Sequence, residues 1–251
     1  MNFKTNMTTS TLLAAGFSLL AGSAAAQTCV ANNCAALGFT KSASNCEGDI
    51  IRCPFDTSKV FCKEKEVYVM EAGAILYSDG TISDSVIASK TPVGIVAYVN
   101  GSTGFAVALT ESNQTWGGYG YNVSCLGDMD SGAASADMNG RVNTQCLVSD
   151  SQTHPAANYC NTFSAVSSGK GSSGWYLPAA GELKAMSYSY GAINLGLQKL
   201  SKTQISSSYY WSSSEGYTGG DCAWLVTPSA GLMYLDDYKS NSFPVRCVIA
   251  L

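Results

Sequence analysis

Few residues in this chain are equipped for chemistry. They are one histidine, His154, a serine run, Ser212-Ser213-Ser214, ten cysteines, and a late acidic and aromatic set: Tyr217, Asp221, Tyr234, Asp236, Asp237, Tyr238 and Asn241. A nucleophilic serine needs a base within hydrogen-bond reach and a strained turn that exposes its oxygen. No G-x-S-x-G surrounds the serine run. His154 precedes Pro155, where it reads as a helix-start residue, and there is no second histidine to complete a Ser–His or Cys–His pair. Catalysis and an organic cofactor are therefore not expected. Zinc is not expected either, because no C-x-x-C pair accompanies the single histidine. Calcium takes roughly six to eight oxygen ligands. Glu215, Asp221, Asp236 and Asp237 are the candidates for supplying them, and the plain alternative is a solvated acidic loop.

The same late segment suits recognition better than reaction. Tyrosine offers rigid amphipathic area at low entropic cost, while Ser, Gly and Asn adapt their hydrogen bonding, a composition typical of recognition loops. Exported β-loops in general share it. Tyr217, Asp221, Tyr234, Asp236, Asp237, Tyr238 and Asn241 are thus the expected ligand-binding residues. Trp175, Trp211 and Trp224 lie inside apolar runs or at element starts and are expected in the core rather than as stacking platforms.

The cysteines set the compartment. Residues 1–26 read as a secretory signal, with Lys4 in the n-region, Leu12 to Leu20 as the apolar stretch, and cleavage after Ala26. The residues before Cys29 do not fit a lipidation site. No later segment reaches the ~18 apolar residues of a membrane span, so no transmembrane segment is expected. All ten cysteines follow Ala26, and an even number in an exported chain predicts disulfides. The charge balance is mildly acidic, with 14 basic against 18 acidic residues. No basic stripe is present to follow a phosphate backbone, so nucleic acid is not expected as a partner.

Cys29, Cys34, Cys46, Cys53 and Cys62 crowd one short segment, and the cluster Lys63-Glu64-Lys65-Glu66 ends it. Residues 27–66 are therefore expected to be a disulfide-stapled cap or spacer, too short for a self-sufficient core. Five is odd, and Cys29 is the candidate to pair elsewhere or stay free. From residue 67 the pattern turns β-rich, with strands expected at 67–70 and 74–77 and a turn at Asp79-Gly80. A hairpin of 93–99 with 105–109 follows, apolar on both faces and joined at Asn100-Gly101 by more than a two-residue turn. Residues 111–152 read as a long polar surface excursion that Cys125 and Cys146 could close. Ala156, Tyr159, Cys160, Phe163 and Val166 have helical spacing. A second helix is expected to open at Pro178 and a third to span 193–200. Strands are expected at 209–212, 223–226, 232–235 and 244–249.

The series Trp175-Tyr176-Leu177-Pro178, Glu182-Leu183, Tyr210-Trp211-Ser212-Ser213-Ser214-Glu215, Ala223-Trp224 and Val245-Arg246 resembles the family named for the C-terminal domain of bacterial collagen-like adhesins. The match is best over residues 155–251, with Val67–Leu109 expected to supply the first strands of a domain that spans 67–251. The resemblance implies an α+β, C-type-lectin-like domain with two or three helices packed on a mainly antiparallel sheet. It also implies kinship with formylglycine-generating enzymes and with the variable proteins of diversity-generating retroelements. That fold brings the first helix beside the last strand, which makes a Cys160–Cys247 bridge sensible; a Cys222–Cys247 bridge between neighbouring strands remains the alternative. Calcium-type lectins of this fold carry Glu-Pro-Asn or Gln-Pro-Asp loops followed by Trp-Asn-Asp, and this chain has none of them.

Together these readings predict an exported or cell-surface bacterial protein that binds an extracellular protein or glycan through its loops. Two further readings stand beside it. One is a variable retroelement receptor, recognisable by an adenine-rich template copy and a reverse-transcriptase gene beside the coding DNA. The other is a structural envelope or appendage component with no small ligand.

Overall fold

The computed structural model describes residues 34–35, 38–46, 49–63, 70–217, 219–235 and 237–251. The signal segment, Cys29, residues 64–66, the strand expected from residue 67 and Asp236 lie outside the described residues, apart from Met70, which is not in a strand. The chain divides into two units between Tyr68 and Val69.

In the first unit β1 (Lys41–Ser42), β2 (Asp49–Cys53) and β3 (Asp56–Lys63) form an antiparallel sheet in the order β1-β3-β2. Pro54 and Phe55 make the turn between β2 and β3, since Cys53 pairs opposite Asp56. Asp56 reinforces it by accepting from the Ser58 backbone N–H at 3.0 Å. Among the described residues of this unit, the buried apolar ones are Cys34, Cys53 and Val60. Covalent closure supplies what that core lacks: Cys34–Cys53 and Cys46–Cys62 are bridged across 19 and 16 residues of chain. Each such loop contributes roughly 3 kcal/mol in the chain-entropy account.

The second unit is built around a six-stranded sheet whose strands alternate between two apolar cores. Its strands are β4 (Ile75–Tyr77), β5 (Ile82–Ser83), β6 (Pro92–Asn100), β7 (Thr103–Ala108), β9 (Trp175–Tyr176) and β14 (Val248–Ala250), in the order β5-β4-β6-β7-β14-β9. Ile75, Ile95, Val107, Tyr176 and Val248 face one core, and Leu76, Ala106, Ala108, Trp175 and Ile249 face the other. The period-2 pleat therefore buries both faces, which is why these strands read as unbroken apolar runs. The β6–β7 connection is tighter than expected. Asn100 pairs with Thr103, leaving only Gly101 and Ser102 in the turn, with Gly101 at φ +63°. Glycine at the first central position is what a type II′ hairpin turn requires.

Among the described residues five α-helices accompany this sheet, where two or three were expected: α1 (Ser131–Ala136), α2 (Gly140–Ser149), α3 (Pro155–Thr162), α4 (Ala180–Met186) and α5 (Tyr190–Lys199). Leu183 and Met186 of α4 and Ile193 and Leu197 of α5 fill the first core, while Leu147 of α2 and Ala156, Ala157 and Cys160 of α3 fill the second. The expected surface excursion over 111–152 thus contains regular elements: α1, α2 and the strand β8 (Ser112–Thr115). α1 is capped by Asp130, whose carboxylate accepts from the Ala133 N–H at 2.8 Å. α4 begins two residues later than Pro178, and the Glu182 side chain reaches back to accept from the Ala179 N–H at 2.8 Å.

The remaining strands are β10 (Tyr210–Glu215), β11 (Ala223–Thr227), β12 (Leu232–Tyr234) and β13 (Ser242–Val245). β10, β11 and β12 form a three-stranded sheet, and β13 pairs with β8. The single terminal strand expected over 244–249 is therefore two strands in different sheets. The chain crosses at Arg246-Cys247, where the buried Arg246 guanidinium donates to the Ala108 and Thr203 carbonyls and, at 2.9 Å, to Glu111. Cys247 is bridged to Cys160 of α3, and Cys125 to Cys146 of α2. Cys222 is buried as a free thiol, so the Cys222–Cys247 alternative does not form.

Candidate functional site

β10 ends on Glu215, and the sequence immediately afterwards, Gly216 to Cys222, loops back into β11. Glu215 is fully buried, and so is Lys239 from a distant turn. The two are ion-paired at 2.5 Å. Lys239 also donates to the Tyr121 carbonyl at 2.7 Å and sits 4.7 Å from the centre of the Trp116 ring. Both Glu215 oxygens accept from the Val123 N–H. Burial pushes the Glu215 carboxyl up from its ordinary range, opposed by the Lys239 charge. One buried ion pair thereby ties together residues 116–123, the end of β10 and the 237–241 turn.

Backbone contacts complete the mounting. The Gly117 N–H donates to the Lys239 carbonyl, the Gly120 N–H to Gly220, and the Lys239 N–H to Asp221, all within 3.1 Å. Gly220 has φ +89°, and a Cβ there would meet the Tyr121 carbonyl carbon at 2.5 Å. The close approach of the two loops therefore requires glycine.

Above this base stand tyrosines. Tyr119, Tyr121, Tyr217 and Tyr238 are 49%, 58%, 57% and 52% exposed. The Tyr119 and Tyr238 rings meet edge-to-face at 5.5 Å. Asp221 is half-buried beside them, and its charge is the leading cause that holds the Tyr119 phenol above its ordinary pKa. Asn241 donates to Asp237 at 2.8 Å, and its N–H closes the turn onto the Tyr238 carbonyl.

Of the residues expected from sequence, Asp221, Asp237, Tyr238 and Asn241 therefore share one surface, and Tyr217 lies on the loop that carries Asp221. Tyr234 belongs elsewhere. It is paired opposite Leu225 in β12, with its ring 5.3 Å from Tyr209. Tyr119 and Tyr121 were missed because their segment looked like unstructured excursion. The available signal was the alternation Gly118-Tyr119-Gly120-Tyr121, which offers aromatic rings on a backbone free to adopt positive φ, as it does at Gly118 and Gly120.

The residues that could have carried chemistry are committed to structure. Glu215, offered as a calcium ligand, is instead the buried partner of Lys239 and Val123. Among the described residues no group of three or more His, Cys, Asp or Glu side chains is arranged to hold a metal ion. His154 is buried against Trp116 and held 3.1 Å from Asp150, and burial lowers its pKa against the opposing pull of the Asp150 carboxylate. Ser212, Ser213 and Ser214 are wholly buried. Ser212 donates to the Trp224 carbonyl and Ser214 to Asp137. Trp175, Trp211 and Trp224 are core residues whose indole N–H groups reach the carbonyls of Gly171, Gln114 and Met129.

No protein-family model matches the chain, and no curated protein sequence does. Its fold is similar to the crystal structure of a fimbrial protein from Bacteroides ovatus ATCC 8483, with a TM-score of 0.54 and 19% identity over 71% of this chain. The aligned part is 48% of the fimbrial chain, so this protein spans about half the length of that relative. At this identity the likeness is one of fold.

Proposed function

We propose that the chain is an exported, surface-associated protein of an adhesion or appendage system, and that its second unit recognises an extracellular ligand. The observation that carries this reading is the set of half-exposed tyrosines on loops fixed from below by the Glu215–Lys239 pair. A pre-organised surface of this kind loses little conformational freedom on binding. The four disulfides among the described residues suit an oxidising compartment. The landmark series ending in Val245-Arg246 and the tie from α3 to the last strands support a C-type-lectin-like reading of the fold. The direct test presents purified, oxidised protein to immobilised matrix and cell-surface material. Specific capture that is lost in Tyr119→Ala and Tyr238→Ala is the expected result, and no capture of anything would overturn the reading.

The likeness to a fimbrial protein favours one alternative, a structural appendage subunit without a ligand. Recovery of the protein in a sheared surface polymer, with no binding by the isolated chain, would establish that alternative instead.

A further inference from the structure

The chemistry of the tyrosine surface narrows the class of ligand. Tyr119 and Tyr238 present two half-exposed rings at an interplanar angle of 88°. An aromatic face is negative at its centre and attracts weakly positive C–H groups, so it packs well against the C–H face of a pyranose ring. The surrounding polar groups are matched to hydroxyls. The Asp221 and Asp237 carboxylates only accept, while the Asn241 amide and the phenols both donate and accept. The two loops and the 237–241 turn contain one basic residue, Lys239, and its ammonium is buried beneath the surface, engaged by Glu215 and Tyr121. Sulfated or uronic sugars would thus meet carboxylates with no exposed counter-charge. A protein partner is also poorly matched. The large exposed apolar residues here, Tyr119, Tyr121, Tyr217 and Tyr238, are all tyrosines, with no aliphatic side chain to form a dry centre.

We propose that Tyr119 and Tyr238, with Tyr121, Asp221 and the Asp237–Asn241 pair, form a metal-independent binding site for neutral oligosaccharides. The rings supply the stacking faces, and the carboxylates and amide read the hydroxyls. The assignment rests on the ligand-binding reading above and specifies its chemistry.

The test is calorimetric titration of the full mature, oxidised protein with cellohexaose, xylohexaose, mannohexaose, maltohexaose and laminarihexaose in the presence of EDTA. A chondroitin sulfate hexasaccharide serves as the charged counterpart. At least one neutral probe is expected to bind, with little dependence on salt and with no binding of the sulfated probe. Tyr119→Ala and Tyr238→Ala are expected to weaken that binding by roughly tenfold or more, while Tyr238→Phe and the remote Tyr234→Ala stay close to wild type. Unchanged thermal midpoints in these exposed-site variants would establish that they fold. Binding only of the sulfated probe, or loss of binding in EDTA, would overturn the proposal. If no neutral probe binds but capture of cell-surface material still depends on Tyr119 and Tyr238, the sugar assignment fails and the ligand-binding reading survives. If neither occurs, both fail.

Discussion

Glu182 is a carboxyl whose surroundings change its ordinary behaviour. Its carboxyl is buried, accepts from Tyr176 at 3.1 Å and from the Ala179 N–H, and lies near Asp137. Burial, joined by the Asp137 charge, pushes it up from 4.5 to about 7. Between those values the folded protein holds a proton that the unfolded chain has released. The contribution is complete below about pH 4.5 and is lost as pH rises towards 7, a change on the order of 3 kcal/mol. Glu182→Gln keeps the side chain neutral, so its urea midpoint should fall less with pH across this window than wild type. Identical profiles would disprove the shift. The Glu215–Lys239 pair makes a different prediction. Lys239→Met strands a buried carboxylate and should cost about 3–5 kcal/mol in urea unfolding, more than the double variant Lys239→Met/Glu215→Leu.

At the scale of elements, α2 explains both what was legible and what was not. Its buried positions Gly140, Asn143, Thr144 and Leu147 have helical spacing, but only one is apolar, while Val142 is exposed. Hydrophobic periodicity therefore has nothing to detect. The buried polar face is satisfied by groups outside the helix: Asn143 donates to Asp137, and the Thr144 hydroxyl accepts from the Leu177 N–H. α3, with its apolar face and Pro155 at its first turn, is readable from sequence up to Thr162, whereas Phe163 and Val166, which continue the helical spacing, lie beyond its end. A pair of glycines tests the close packing of α2 on α4. A Cβ on Gly140 would meet the Ala179 nitrogen at 2.6 Å, whereas one on Gly191 in α5 meets nothing within 4 Å. Alanine usually favours a helix over glycine by about 1 kcal/mol. Gly191→Ala should therefore raise the thermal midpoint, and Gly140→Ala should lower stability by about 1–3 kcal/mol through overpacking.

Across the whole molecule, the Cys160–Cys247 bridge closes 87 residues of chain and joins α3 to the point where the chain passes from β13 to β14. Removing it as Cys160→Ala/Cys247→Ala should cost roughly 4–5 kcal/mol in the chain-entropy account, read as a lowered denaturant midpoint. The two units have separate cores, one made mainly of disulfides and one of two packed apolar layers. Residues 69–251 expressed alone should then show a cooperative thermal transition near that of the second unit in the full chain. A non-cooperative melt would show that its core depends on the first unit.

The sequence by itself determined what local chemistry can encode: a cysteine pattern that predicts disulfides, the apolar strands, the apolar face of α3, the core placement of the tryptophans and the small number of groups equipped for catalysis. Tertiary structure alone decided which residues meet. Tyr119 and Tyr238 are more than a hundred residues apart in the chain, and the segments that carry them are joined beneath the rings by a buried ion pair that no local pattern announces. By sequence Glu215 reads as an acidic loop residue, but the fold places it against Lys239 beneath the same surface. The physical reason is the same in both cases. A charge or ring acquires its role from the dielectric and the partners around it, and the fold supplies those from distant parts of the chain.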